Sequence, residues 1–180
     1  MEIEELSRGF GAIISNVDPE AVSNQKVKQK IYEVFLARHV ICLRGYSLTP
    51  KQFATFSKVF GEPQVQLLTD YNLDGLPEIS LISNYNKIGG SKPYVRATYW
   101  HTDDSYFAQP AKATLLYAQS LPSTGGETGF INCHTVLEEM PKELRRRFDG
   151  KRALHKYLSR RNKAPVADRS AEEEARTPDV

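Results

Sequence analysis

Cysteine is nearly missing from this chain. Cys42 and Cys133 are the only two in 180 residues, which excludes a disulfide framework and a cysteine-rich zinc site. An excess of one charge is missing too. Lys and Arg number 24 against 22 Asp and Glu, a net charge of +2, so no strong field gathers nucleic acid or an anionic membrane. No apolar run approaches the roughly 18 residues of a spanning helix. The opening MEIEELSRGF is too acidic and polar for a secretory signal peptide. A glycine-rich phosphate loop and a G-x-S-x-G elbow are both lacking. A cytoplasmic protein that binds neither nucleic acid nor membrane is expected, and a homo-oligomer is compatible with that. What is present is 40% hydrophobic and 10% aromatic residues, enough for a packed core in one domain and too many for a disordered chain.

Local patterns divide the chain. Phe10 to Ser15 is a short apolar run that predicts a strand. Val27, Ile31, Val34 and Phe35 recur at i, i+4, i+7 and i+8, one face of an amphipathic helix over Gln25 to Arg38. Val40 to Leu43 reads as a short buried strand. Thr49, Pro50 and Gln52 supply an N-cap, an N1 proline and a capping-box partner. Phe53, Phe56, Val59 and Phe60 follow as the apolar face, with Gly61 placed to end the helix. Glu78 to Asn84, Ala97 to Asp103, Ala113 to Gln119 and Thr128 to Asn132 are strand candidates, broken by Gly89-Gly90, Pro93 and the turn cluster Leu121 to Gly126. Thr135 to Glu138 is a second capping-box pattern, and its helix continues in broken form to Phe148. Residues 159–180 carry only Val166 and Val180 as large apolar groups, so a mobile polar segment is expected there after a domain over 1–158. The order of elements points to an α+β chain rather than a doubly wound parallel sheet.

The sharpest local feature is Trp100-His101-Thr102-Asp103. Alternation along a strand puts His101 and Asp103 on one side. An imidazole and a carboxylate there are two thirds of the facial triad that holds Fe(II) and leaves open positions for reactants. Spacing alone is weak evidence. Four His and eight Asp in 180 residues give a chance expectation of roughly 0.18 such matches, and a surface strand pair explains the spacing equally well.

The surrounding sequence is more specific. W-H-T-D at 100–103, the P-x-x-x-x-L-L-Y-A run from Pro110 to Ala118 and P-S-T-G-G-E-T at 122–128 follow one another. Arg8-Gly-Phe-Gly-Ala12, His39 to Gly45, Leu48 to Gln52, Phe60-Gly-Glu62 and Gly150 to Tyr157 add further motifs in order. Together they resemble the N-terminal part of the taurine/2,4-dichlorophenoxyacetate dioxygenase family of Fe(II)- and 2-oxoglutarate-dependent oxygenases.

That resemblance implies a mainly β, double-stranded β-helix (jelly roll) with flanking helices, here truncated. It implies His101 and Asp103 as iron ligands, and Thr128 as a hydroxyl that helps bind the far carboxylate of 2-oxoglutarate. Trp100 is expected to pack beside the metal strand. The activity implied is hydroxylation of a small organic substrate, anionic ones among the candidates, with O2, through a ferryl species, with succinate and CO2 as coproducts. Asn84, Tyr85 and Tyr106 are candidate pocket residues, with surface or core roles equally open.

Two pieces of the family pattern are absent: a distal His as third ligand, and an Arg beyond it for 2-oxoglutarate. His39, His134 and His155 are read as structural, and Arg145-Arg146-Arg147 as a solvated face. The alternative is therefore a non-catalytic fragment or interaction protein. Taurine-type members carry an Asn where this chain has Ala97 and a His near Gln66, so both departures argue against taurine as substrate.

Overall fold

The computed structural model describes residues 1–7, 9–83, 99–157 and 169–180. The chain divides into two compact units. Met1–Val59 joins Leu115–Arg152, and Phe60–Thr114 joins Ala153–Val180.

The first unit is built on a three-stranded sheet. β1 (Glu2–Ser7) pairs antiparallel with β2 (Phe10–Ser15), Glu2 facing Ser15 and Ser7 facing Phe10. Gly9 turns the hairpin at φ 74°, a conformation that glycine reaches at little cost. β2 also pairs parallel with β3 (Ile41–Leu43). A parallel neighbour needs a crossover, and α1 (Gln25–Arg38) supplies it. Asn24 caps α1 by accepting the Lys26 N–H at 2.9 Å. The helix stops at His39, whose φ of 63° leaves the helical region while its N–H returns to the Phe35 carbonyl at 2.7 Å. Ile31 and Val34 are the buried face of α1, and they share the core with Ala12 and Ile14 of β2. Ile14 and Ile31 are fully buried, each contributing about 1.5–3 kcal/mol of apolar transfer. β1 is exposed along its whole length. Its glutamates suit an edge, where charge discourages pairing with other chains.

α2 (Pro50–Ser57) has the predicted start: Thr49 caps it, Pro50 opens it and Gln52 closes the box. It ends at Lys58, three residues before Gly61. Tyr117 ties this region together. Its hydroxyl accepts the Leu48 N–H at 2.7 Å, and its ring lies 5.5 Å from Phe53. α3 (Cys133–Glu138) is capped by Asn132, not by Thr135. Pro141 then separates it from α4 (Lys142–Phe148), which explains the broken pattern. Arg145, Arg146 and Arg147 are exposed in the last turn of α4, where cations complement the helix dipole.

The second unit holds a small hairpin, β4 (Asn72–Leu73) with β5 (Leu76–Ser80). Phe60, Leu67 and Phe107 are its buried apolar residues. Residues 169–180 differ from the mobile segment expected for 159–180. They carry α5 (Ala171–Ala175), with a capping box from Ser170 and Glu173. Polar ties replace the missing apolar ones. Glu173 is buried and accepts the Thr69 N–H at 3.2 Å and the Ser170 N–H at 2.7 Å. Arg176 donates to the Val65 carbonyl at 2.9 Å, and His155 and Val180 exchange backbone hydrogen bonds. The rest of the segment, to residue 168, lies outside the described residues.

Among the described residues the strands form sheets of three and two strands, and these alone do not show a jelly roll. The expected strands at 113–119 and 128–132 join no sheet among the described residues. Yet 111–118 alternates strictly, half-buried at odd positions and exposed at even ones. That is the side-chain period of a strand. No described helix is long and apolar enough to cross a membrane.

Candidate functional site

His101 and Asp103 meet in the second unit. Nε2 of His101 lies 3.2 Å from Oδ1 of Asp103, with both side chains about half exposed. The other ring nitrogen decides what this contact is. Nδ1 lies 2.9 Å from the Tyr99 carbonyl oxygen. A carbonyl only accepts, so Nδ1 must carry the hydrogen. A neutral imidazole then presents a bare lone pair at Nε2, facing a carboxylate oxygen. Two lone-pair atoms at that distance repel unless a proton or a metal ion lies between them. The spacing suits a metal. Two ligand atoms bound side by side on an octahedral ion at about 2.1 Å stand about 3.0 Å apart. A backbone carbonyl that accepts from the far ring nitrogen is also a usual partner of a metal-binding histidine.

Asp103 is held from its other side. Its Oδ2 accepts the Thr114 hydroxyl at 2.9 Å. The next residue, Asp104, sits at φ 55°, a left-handed conformation that aspartate tolerates better than most residues. The Phe107 N–H donates to its carbonyl at 3.0 Å, closing a turn. Tyr106 donates its hydroxyl to Asp104 Oδ1 at 3.0 Å and meets the Tyr157 ring edge-on at 5.2 Å. Burial pushes the Asp104 carboxyl up, against the lowering effect of the Tyr106 hydrogen bond, and neighbouring Asp103 adds to the rise. Burial also pushes the Tyr106 phenol well up, with the Asp104 carboxylate adding to it. Both residues thus brace the turn after the HxD pair.

The remaining candidates are scattered. Thr128 is exposed in the first unit, past the Gly125–Gly126 turn. Asn84, Tyr85 and Ala97 lie outside the described residues. Trp100 is 68% exposed rather than packed beside the metal strand, because Tyr99 to Asp103 form no sheet that could cover it. Gln66 donates its backbone N–H to the Pro77 carbonyl at 3.1 Å. His39 and His134 stack on each other, centroids 5.3 Å apart. Among the described residues no group of three His, Cys, Asp or Glu could hold a metal ion. The sequence spacing puts His101 and Asp103 on one side, and the two side chains meet. That spacing missed Thr114, eleven residues from its partner, since no local pattern marks such a contact.

A model of the taurine catabolism dioxygenase TauD, TfdA family matches residues 2–180. The chain belongs to this family. Among curated relatives, an alkylsulfatase of Acinetobacter baylyi is 27% identical over 86% of this chain and 47% of its own length. Pentalenolactone F synthase of Streptomyces avermitilis is 30% identical over 83% of this chain and 51% of its own. A solved taurine dioxygenase from Burkholderia xenovorans superposes with a TM-score of 0.73 at 28% identity, covering 87% of this chain and 54% of that one. The chain spans about half the length of the curated relatives it matches.

Proposed function

We propose that the chain carries the N-terminal part of the site of an Fe(II)- and 2-oxoglutarate-dependent dioxygenase. The observation that carries this is the facing pair of His101 Nε2 and Asp103 Oδ1, with His101 Nδ1 already committed to the Tyr99 carbonyl. His101 offers a borderline nitrogen donor. Asp103 offers a hard oxygen and lowers the charge of the bound ion. When bound, iron with 2-oxoglutarate and O2 supplies the oxidising power to place one oxygen atom in a substrate C–H bond, giving succinate and CO2. Thr128 donates its hydroxyl to the far carboxylate of 2-oxoglutarate. The proposed setting is the cytoplasm, in keeping with two free cysteines.

A small organic anion is the proposed substrate class. Relatives support it by their names: a sulfate ester dioxygenase of Pseudomonas putida and a 2,4-dichlorophenoxyacetate dioxygenase of Cupriavidus pinatubonensis. Asn84, Tyr85 and Tyr106 remain its candidate contacts, although the Tyr106 hydroxyl is already engaged by Asp104. A second reading, a non-catalytic fragment or interaction protein, is favoured by the lack of a third metal-binding residue among the described ones.

The test is succinate formation from 2-oxoglutarate. It is run on the chain joined to the remaining half of a family domain, with a panel of sulfate esters and aryloxy carboxylates. Substrate-stimulated succinate supports the dioxygenase. No succinate with any member, from a folded product that binds iron, favours the second reading.

A further inference from the structure

Asp103 has two oxygens, and the structure gives them different neighbours. Oδ1 faces His101 Nε2 at 3.2 Å, while Oδ2 receives the Thr114 hydroxyl at 2.9 Å. A carboxylate whose two oxygens are equivalent can bind an ion through one or both. It can also rotate away, and Asp103 is exposed enough to do so. We propose that Thr114 is a positioning residue: its hydroxyl ties down Oδ2 and so presents Oδ1 alone to the metal, beside His101. The inference rests on reading His101 and Asp103 as metal ligands.

Three features make Thr114 suited to this. A β-branched side chain has few rotamers, so its hydroxyl direction is largely set by the backbone. The hydroxyl has one hydrogen, and it goes to Asp103. Thr114 also lies in the segment where burial alternates strictly from 111 to 118, so its side chain projects on a defined side of the chain. On the other flank, Asp104 takes a left-handed turn and accepts the Tyr106 hydroxyl. Removing an outer partner of a metal ligand typically costs about 10–100-fold in metal affinity.

Histidine-labelled chain carries only four labelled rings, and the His101 signal is assigned by its loss in His101→Gln. Titration with Mn(II) follows paramagnetic broadening of that signal. Thr114→Val and Thr114→Ala, which differ in volume but both lack the hydroxyl, are expected to weaken Mn(II) binding by about 10–100-fold. Thr114→Ser, which restores the hydroxyl, is expected to return affinity toward the unsubstituted chain. Thermal unfolding of each variant shows that the fold is kept. Unchanged affinity in both hydroxyl-free variants overturns the proposal, as does a serine variant as weak as valine. If the unsubstituted chain shows no selective broadening of His101, the reading of the pair as ligands fails, and the inference with it.

Discussion

At the residue scale, the HxD pair separates two roles that look alike in sequence. Even an ion pair between exposed side chains contributes only about 0–1 kcal/mol to stability, and this contact is about half exposed. Asp103→Asn is therefore expected to change the unfolding free energy by less than about 1 kcal/mol while abolishing divalent metal uptake. Urea unfolding and metal titration on the same sample check both halves. A large loss of stability with uptake intact would mark a structural pair. The pair was legible because its two members are two residues apart, a spacing that one stretch of backbone sets by itself. The Tyr99 carbonyl and Thr114 were not legible. A backbone oxygen has no sequence signature, and Thr114 reaches Asp103 only through a fold that bends the chain back. Trp100 shows the same limit, since its exposure depends on what does or does not cover it.

At the element scale, helices with local start signals were readable and sheet partners were not. α2 carries its instructions in Thr49, Pro50 and Gln52. Thr49→Ala is expected to cost about 0.5–2 kcal/mol, measured as a lower urea midpoint at unchanged slope. β1 escaped the sequence reading because its six residues are exposed and bury no apolar face. α5 escaped because a buried carboxylate, rather than an apolar stripe, holds it. Hydrogen bonds from the Ser170 and Thr69 backbone hold the Glu173 carboxyl below the usual glutamate range, against the effect of its burial. The unfolded chain therefore binds that proton more readily than the folded one. The hold is complete above the ordinary glutamate pKa and is lost as pH falls through the depressed folded value. Protection of the amides at 171–177, relative to unstructured amides at the same pH, is expected to fall over that acid range. In Glu173→Gln it is expected to be low already at neutral pH. Equal protection in the variant would contradict the account.

At the scale of the whole molecule, the first unit exposes many large apolar side chains. Leu116, Leu121, Phe130 and Phe148 are each more than half exposed, and Ile131, Val136 and Leu137 nearly so. Isolated exposed residues are ordinary, whereas many in one stretch of chain favour self-association. The 180-residue chain alone is expected to associate with rising concentration, and replacing Leu116, Phe130 and Phe148 by serine to reduce this without lowering the unfolding temperature. Sedimentation velocity across a concentration series reads it, and a monomer at every concentration would contradict it. The N-terminal βαβ arrangement was largely legible in sequence. The jelly roll was expected only from the resemblance, because a sheet sandwich is defined by pairings between distant strands. Among the described residues those pairings are missing.

The central claim is that His101 and Asp103 hold a divalent metal ion. Anaerobic equilibrium dialysis with Fe(II), on the unsubstituted chain beside His101→Ala and Asp103→Ala, tests it most directly. The account predicts saturable binding of about one ion per chain, lost in both variants while their folded circular dichroism spectra are kept. Binding that persists unchanged in both variants, or no saturable binding in the unsubstituted chain, would contradict it.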